Sequence, residues 1–346
     1  MVTPAAAERP HGQEIIRRCA AAGVQDIQLL PSNRVTGLRG ADDRETYRLA
    51  KSTLAVVVSA PSKRRLQPIP PSADWRFDLA EGCPAHCQYC YLAGSLQAPP
   101  VTRVFADLDD ILTGLDDYVG HGRVTSTSRT RSGEGTTFEA SCYTDPLGIE
   151  HLTGSLSAAI THFGTHAWSG GVQLRATTKF DAIGPLLAAP HGGATRIRFS
   201  VNAAGVSGRF EGGTAPVRAR LAALRALAVD GYPVGITIAP IMPLPGWQEQ
   251  YSALLDATAT AVADVDPLDM TVECITHRFT PGSKQVLASW YPRTKLEMDE
   301  ERRSQKRGRY GAVKFVYRPE QMSELRRWFA TALAERLPAA KVLYWT

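Results

Sequence analysis

The stretch Glu81-Gly82-Cys83-Pro84-Ala85-His86-Cys87-Gln88-Tyr89-Cys90-Tyr91 follows a strand-like run, residues 75–80, and sets the reading of the whole chain. Three thiols spaced Cys-x3-Cys-x2-Cys on a loop containing Gly82 and Pro84 can fold around one metal centre. Soft thiolates favour iron–sulfur clusters and zinc. The spacing leaves one coordination position without a protein ligand. In a 4Fe–4S cube that means one iron open to a small molecule. A structural zinc wants a closed set of four. His86 is the nearest candidate, but a residue adjacent to Cys87 is poorly placed to share its metal. A cluster is therefore preferred, with zinc or unliganded thiols as the open alternatives.

Outward from this loop, strand and helix patterns alternate. Strands are expected at 75–80, 101–106, 137–142, 172–177, 196–201, 234–242 and 270–276. Helices are expected at 107–118, 150–163 and 248–262, with another beginning near Pro216. For that helix, Thr214 can cap the start and Pro216 suits the first turn. Val217, Leu221, Leu224 and Ala228 share one face, and Gly231 supplies the stop. Seven strands in succession argue for six parallel βαβ units in an α/β fold, too few for a closed eight-stranded barrel. An open or partial barrel is expected, with ligands at the carboxyl ends of its strands.

Around a core of residues 71–276 lie an N-terminal extension, 1–70, and a C-terminal extension, 277–346, all in one compact unit. The first should hold a helix at 13–22 and a strand at 53–59; the second a helix at 320–337 and a strand at 341–345. The Ser-, Thr-, Arg- and Gly-rich stretch 120–135 reads as a mobile loop.

The composition is that of a globular chain: 346 residues, 44% hydrophobic and 21% charged, with a net charge of +5 that tolerates a polyanionic partner without requiring one. No run of about 18 apolar residues is present, which argues against a membrane span. Residues 1–12 lack the apolar core of a secretory signal. A cytoplasmic protein is expected, its six cysteines serving as reduced thiols, ligands or catalytic groups.

Cys142, at the end of an expected strand, carries an S–H bond weak enough to quench a carbon radical. A lone cysteine is more often a small buried hydrophobe, and Cys19 and Cys274 are read that way. Tyr89 and Tyr91 flank Cys90 and could relay a hydrogen atom or simply shield a cluster. Lys179, Ser200 and Asn202 lie at or just after strand ends, where they could reach a ligand; each alone reads as a surface or turn residue. The basic stretch from Arg302 to Tyr310 could hold phosphates, or form a solvated helix face.

Cys-x3-Cys-x2-Cys followed by an aromatic residue resembles the radical S-adenosylmethionine (SAM) superfamily. Further motifs narrow the likeness. Pro71-Ser72-Ala73, Gly82-Cys83 through Leu92, Phe138-Glu139-Ala140-Ser141-Cys142, Asp145, and Gly148-Ile149-Glu150-His151-Leu152-Thr153 resemble the spore photoproduct lyase family. So do Thr178-Lys179-Phe180, Arg198-Phe199-Ser200-Val201-Asn202, Gly231-Tyr232-Pro233, Ala239-Pro240-Ile241, His277-Arg278-Phe279-Thr280, Tyr291-Pro292, Thr294-Lys295-Leu296-Glu297 and Gly308-Arg309-Tyr310-Gly311.

The resemblance implies a partial (β/α)6 TIM-like barrel of the radical SAM type, with extensions including a β-hairpin. It implies a 4Fe–4S cluster on Cys83, Cys87 and Cys90, with SAM contacted by Tyr91, Thr144, Lys179, Ser200, Asn202 and Ala239. It gives Cys142 the role of hydrogen donor, Tyr89 and Tyr91 the return of the radical to 5′-deoxyadenosine, and Arg309 and Tyr310 the lesion contacts. The implied activity is repair of the methylene-bridged thymine dimer in DNA with SAM regenerated, an electron donor such as flavodoxin or ferredoxin, and no membrane partner. Two other readings stand beside it: the same chemistry on a different DNA lesion or other substrate, and a non-enzymatic nucleic-acid-binding protein holding zinc.

Overall fold

The strand that leads into the cysteine loop is β1 (Ala73–Phe77). Its neighbours in the computed structural model, which describes residues 1–95, 99–128, 130–140, 142–307, 311 and 313–346, are the strands the hydrophobic runs announce. By internal contacts the chain forms two compact units. The first comprises Met1–Pro84, Leu96–Thr178 and Ala182–Ile197; the second comprises Ala85–Ser95, Lys179–Asp181 and Arg198–Thr346.

In the first unit, β1 runs parallel to β2 (Thr136–Ala140), and β2 parallel to β3 (Val172–Thr178), with Trp75 opposite Phe138 and Phe138 opposite Leu174. Gln67–Ile69 closes the β1 side as an antiparallel edge. Inward-facing Phe77 and Phe138 meet Phe163 of the helix Ser155–Thr165, ring centroids 6.3 and 5.6 Å apart. Such pairs add to the simple burial of their area.

The run 101–106 is corrected: Thr102–Phe105 lies outside this row of strands. It pairs in parallel with Leu54–Val57 and antiparallel with Ala80–Glu81 in a separate three-stranded sheet. The helix Pro10–Ala21 packs Ile15 and Cys19 onto Val56 and Val104 of that sheet, so this strand serves the N-terminal segment. The helix expected at 150–163 is two helices. Gly154 takes the left-handed conformation (φ 64°) between Glu150–Thr153 and Ser155–Thr165. The buried Glu150 carboxylate then accepts from Leu156 N (2.8 Å) and Ser157 N (3.0 Å), satisfying the new amino end. Residues 107–118 shorten likewise to a helix over Leu108–Thr113 and a 3-10 turn over Asp116–Tyr118.

The stretch read as a mobile loop, 120–135, is anchored over its described residues. Buried Asp74 of β1 accepts from Val124 N (2.6 Å), Thr125 N (3.1 Å) and Thr137 N (2.9 Å), while buried Arg131 donates to the carbonyls of Pro71 (2.7 Å) and Ser72 (2.8 Å). Polar residues that looked like loop filler are the anchors.

The second unit carries β4 (Thr195–Val201, whose first three residues group with the first unit), β5 (Val234–Ile241), β6 (Met270–Thr276) and β7 (Lys341–Trp345), in that hydrogen-bonded order. The pairs β5–β6 and β6–β7 are parallel. Helix α1 (Val217–Val229) buries Leu221, Leu224 and Ala228 as expected, with Gly231 at φ 90° beyond its end. Its cap is corrected: Pro216, not Thr214, is the N-cap. A residue before proline is pushed out of the helical region, so Ala215 cannot extend the helix back to Thr214. Helices α2 (Trp247–Val262) and α3 (Pro319–Arg336) follow, with Tyr251 edge-on to Phe329, centroids 5.0 Å apart.

Between these strands Arg198 and Glu273, both almost fully buried, form a two-oxygen ion pair at 2.8 and 2.7 Å, and Tyr344 donates to the same carboxylate at 2.9 Å. Removing one partner of such a pair strands a charge in the interior. Glu273→Ala is expected to cost about 3–5 kcal/mol of unfolding free energy, measured by urea denaturation followed by circular dichroism. A loss below about 1 kcal/mol, the range of an exposed pair, would contradict that view of the core.

Candidate active site

The cysteine loop is shaped before any ligand is considered. Gly82 turns the chain at φ 84°, where an added Cβ would lie 2.4 Å from the Val101 carbonyl oxygen, so no larger residue fits. Its N–H donates to the carbonyl of Tyr143 at 2.9 Å. The residue before Cys83 is thus tied to the residue after Cys142. Lys51 Nζ donates to the carbonyl of Cys83 itself.

In the second unit, His86 and Cys87 form a short antiparallel bridge with Gly212 and Glu211, and Cys90 N–H turns back to the Cys87 carbonyl at 3.3 Å. Cys87 is buried, Cys83 and Cys90 are half-buried, and none is in a disulfide. Burial pushes the Cys87 thiol up to about 12, with Lys179 opposing. A bare thiolate there is costly, and bonding to a soft cation would offset that cost. Among the described residues no three His, Cys, Asp or Glu side chains stand converged as a finished ligand set. The donor chemistry fits a cluster nonetheless: three uncrosslinked thiols in one short loop, each soft.

Tyr89 and Tyr91 separate in character. Tyr91 is largely exposed. The Tyr89 hydroxyl donates to Glu211 Oε1. Burial, then the proximity of Cys87 and Glu211, raises the phenol well above its usual pKa, so it stays protonated.

Glu211 is the centre of a buried network. Arg220 Nη2 donates to Glu211 Oε2 at 2.6 Å, and Lys179 Nζ stands 3.9 Å from Oε1. Burial alone would raise the carboxyl's pKa, but the charges of Lys179 and Arg220 prevail and it lies below the ordinary value. Arg220 also donates to the carbonyls of Ala215 and Ser200, each at 2.8 Å, and to Thr214 Oγ1 at 2.8 Å. Neither Glu211 nor Arg220 was expected from sequence. Arg220 left one signal: it lies three residues past Val217 and four before Leu224, on the inward stripe of α1, where a cation must have a partner.

The structure draws four expected ligand contacts together. Lys179, directly after β3, donates to Ser200 Oγ in β4, and Ser200 Oγ reaches the Ala239 carbonyl of β5 at 3.5 Å. Asn202, just past β4, donates to the Pro240 carbonyl at 2.8 Å and accepts from Tyr251 at 2.9 Å. The carboxyl ends of β4 and β5 thus present a polar cluster, the place where α/β sheets bind ligands.

In the first unit, β2 is described as far as Ala140, Ser141 lies outside the described residues, and half-buried Cys142, expected in the strand, lies in a turn. Arg76 holds that turn through the Tyr143 hydroxyl at 2.6 Å and lies over its ring, 4.8 Å from the centroid. Thr144 follows with its hydroxyl oxygen buried and no hydrogen-bond partner among the described residues, an atom left for a ligand to satisfy. Arg309 and Tyr310 lie outside the described residues. The hairpin that leads to them is present, Ser304–Arg307 pairing antiparallel with Val313–Val316. No helix among the described residues is long and apolar enough to cross a membrane.

Comparison with known proteins finds relatives along the whole chain. The profile of the spore photoproduct lyase family matches residues 1–346. A spore photoproduct lyase of Geobacillus sp. (strain Y412MC61) is 40% identical over 343 residues, covering 99% of this chain and 96% of the relative. That of Bacillus subtilis (strain 168) is 38% identical over 345 residues, covering 100% and 97%. A solved spore photoproduct lyase complexed with dinucleoside spore photoproduct superposes with TM-score 0.90 at 39% identity, covering 100% of this chain and 97% of that one. A double mutant solved with AdoMet and the dinucleoside gives TM-score 0.90 at 38% identity, with the same coverage. The expected α/β partial barrel of the radical SAM type is the fold of these structures. With the family profile matched from end to end and relatives 38–40% identical over almost the whole chain, the chain belongs to the spore photoproduct lyase family.

Proposed function

We propose that this chain reverses the methylene-bridged thymine dimer of DNA to two thymines, as a radical SAM carbon–carbon lyase that regenerates SAM. The observation that carries the reading is the end-to-end match to spore photoproduct lyases, including one solved with the dinucleoside lesion.

Cys83, Cys87 and Cys90 would hold a 4Fe–4S cluster. When bound, that cluster and SAM would together supply the one-electron radical chemistry that begins at C6 of the dimer. The protein's own residues do the rest. Lys179 offers a cation to the SAM carboxylate, and Ser200, Asn202, Ala239, Thr144 and Tyr91 supply polar and van der Waals contacts to the remainder of the molecule. Because Asn202 is itself fixed by Tyr251 and the Pro240 carbonyl, it presents a set geometry to a ligand. After the methylene bridge breaks, Cys142 gives its S–H hydrogen to the thymine radical. Tyr89, held by Glu211, and Tyr91 would relay a hydrogen atom from 5′-deoxyadenosine to the thiyl left on Cys142, restoring the thiol and returning the radical to 5′-deoxyadenosine so that SAM can be re-formed. Arg309 and Tyr310 would contact the lesion, and a flavodoxin- or ferredoxin-like protein would supply the electron.

Two variants test these roles on the dinucleotide lesion under anaerobic conditions. Cys142→Ala should still cleave SAM yet lose clean thymine product; an unchanged thymine yield would remove Cys142 from the mechanism. Tyr89→Phe should retain repair while consuming more SAM per dimer, read as the ratio of 5′-deoxyadenosine to thymine product. An unchanged ratio would leave Tyr89 only a packing role.

A further inference from the structure

Beyond the cluster loop, the second unit contains a cavity of about 360 Å³ that no role above uses. Phe210 and Met242 form its inner wall, buried His277, Arg303 and Tyr317 its floor, and Lys295, Arg302 and Arg318 its exposed rim. The one carboxylate in the lining, Glu297, is held by Arg303. Lys295 and Arg302 have no acidic partner among the described residues, and Arg318 donates to a neutral carbonyl, that of Glu301, at 2.6 Å. Among the described residues none of the three rim cations is in an ion pair.

The floor adds no negative charge. Burial, then the neighbouring Arg303, pushes the His277 imidazole down to about 3, so it is neutral. The rings give no face to a base, because Phe210 and Tyr317 are buried and the Arg303 guanidinium covers Tyr317, 3.9 Å from its centroid. A volume of this size exceeds a lone inorganic ion and suits a sugar–phosphate unit. The place is specific as well. Met242 directly follows β5, His277 directly follows β6, and Arg302 and Arg303 form the base of the Ser304–Arg307 hairpin strand. The Phe210 carbonyl accepts from Gln88 N at 2.8 Å, within the cysteine loop.

We infer that this cavity seats a backbone phosphodiester of the DNA strand flanking the lesion, gripped by Lys295, Arg302 and Arg318. The inference rests on the reading of the chain as a DNA-repair lyase and adds a contact that a dinucleoside, having no flanking phosphates, cannot make. Phosphate contacts position a strand without reading its sequence.

The test compares wild type with Lys295→Ala/Arg302→Ala, checked for folding by circular dichroism, with Lys295→Gln/Arg302→Gln as the milder pair. Fluorescence anisotropy measures binding of a lesion-bearing oligonucleotide against salt concentration, and product analysis measures repair of the dinucleoside lesion. The double variants should lower the slope of log affinity against log salt by about 1 per cation removed, with dinucleoside repair at the wild-type rate. An unchanged slope with intact dinucleoside repair would overturn the inference. So would inorganic phosphate binding that the variants lose while oligonucleotide affinity stays the same, which marks a free-anion site. Failure of the wild type to repair the dinucleoside would sink the lyase reading, and this inference with it.

Discussion

A single buried carboxylate, that of Glu211, organises the polar cluster of the second unit. Its backbone bridges to Cys87, one oxygen accepts from Tyr89, the other from Arg220, and Lys179 stands beside it. Two cations about one buried anion keep that anion ionised where burial alone would protonate it. Removing it would leave Arg220 buried without its counter-charge and release the tyrosine next to Cys90. Cys87, Tyr89 and Lys179 thus share a single electrostatic anchor. The cost of burying it is offset by the hydrogen bonds from Tyr89 and Arg220 and by the nearby charge of Lys179.

The first unit solves a related problem by backbone. The turn carrying Cys142 is joined to the turn preceding Cys83 through one hydrogen bond, Gly82 N–H to the Tyr143 carbonyl, and Arg76 clamps Tyr143 from the side. Anchoring Tyr143, the residue directly after Cys142, fixes the backbone beside that thiol. The loop over 120–135, pinned by Asp74 and Arg131, braces the same strand from its other end.

Much of this was legible in the residues. The spacing of Cys83, Cys87 and Cys90 names its own chemistry, since few functions need three thiols in one short loop. Strands such as 270–276 were readable because buried parallel strands are continuous apolar or β-branched runs. The misses follow from physics that local pattern does not carry. Residues 101–106 look like any strand, and only tertiary pairing assigns them to the N-terminal sheet. The break at Gly154 depends on a left-handed φ that an isolated glycine permits without announcing. Glu211 lies in the polar run Glu-Gly-Gly-Thr, a turn by any local rule, and its role exists only once Arg220, Lys179 and Tyr89 converge on it. Its one trace was a charged residue, Arg220, on the apolar stripe of α1.

The most direct test of the whole account is anaerobic reconstitution of the wild-type chain with iron and sulfide, followed by reduction with SAM and the dinucleotide carrying the methylene-bridged thymine dimer. Chromatography then counts thymine dinucleotide and 5′-deoxyadenosine. The account predicts thymine product in large excess over 5′-deoxyadenosine, because SAM is returned after each repair. Cleavage of SAM with no thymine product would contradict it, leaving a radical SAM enzyme whose substrate is something else.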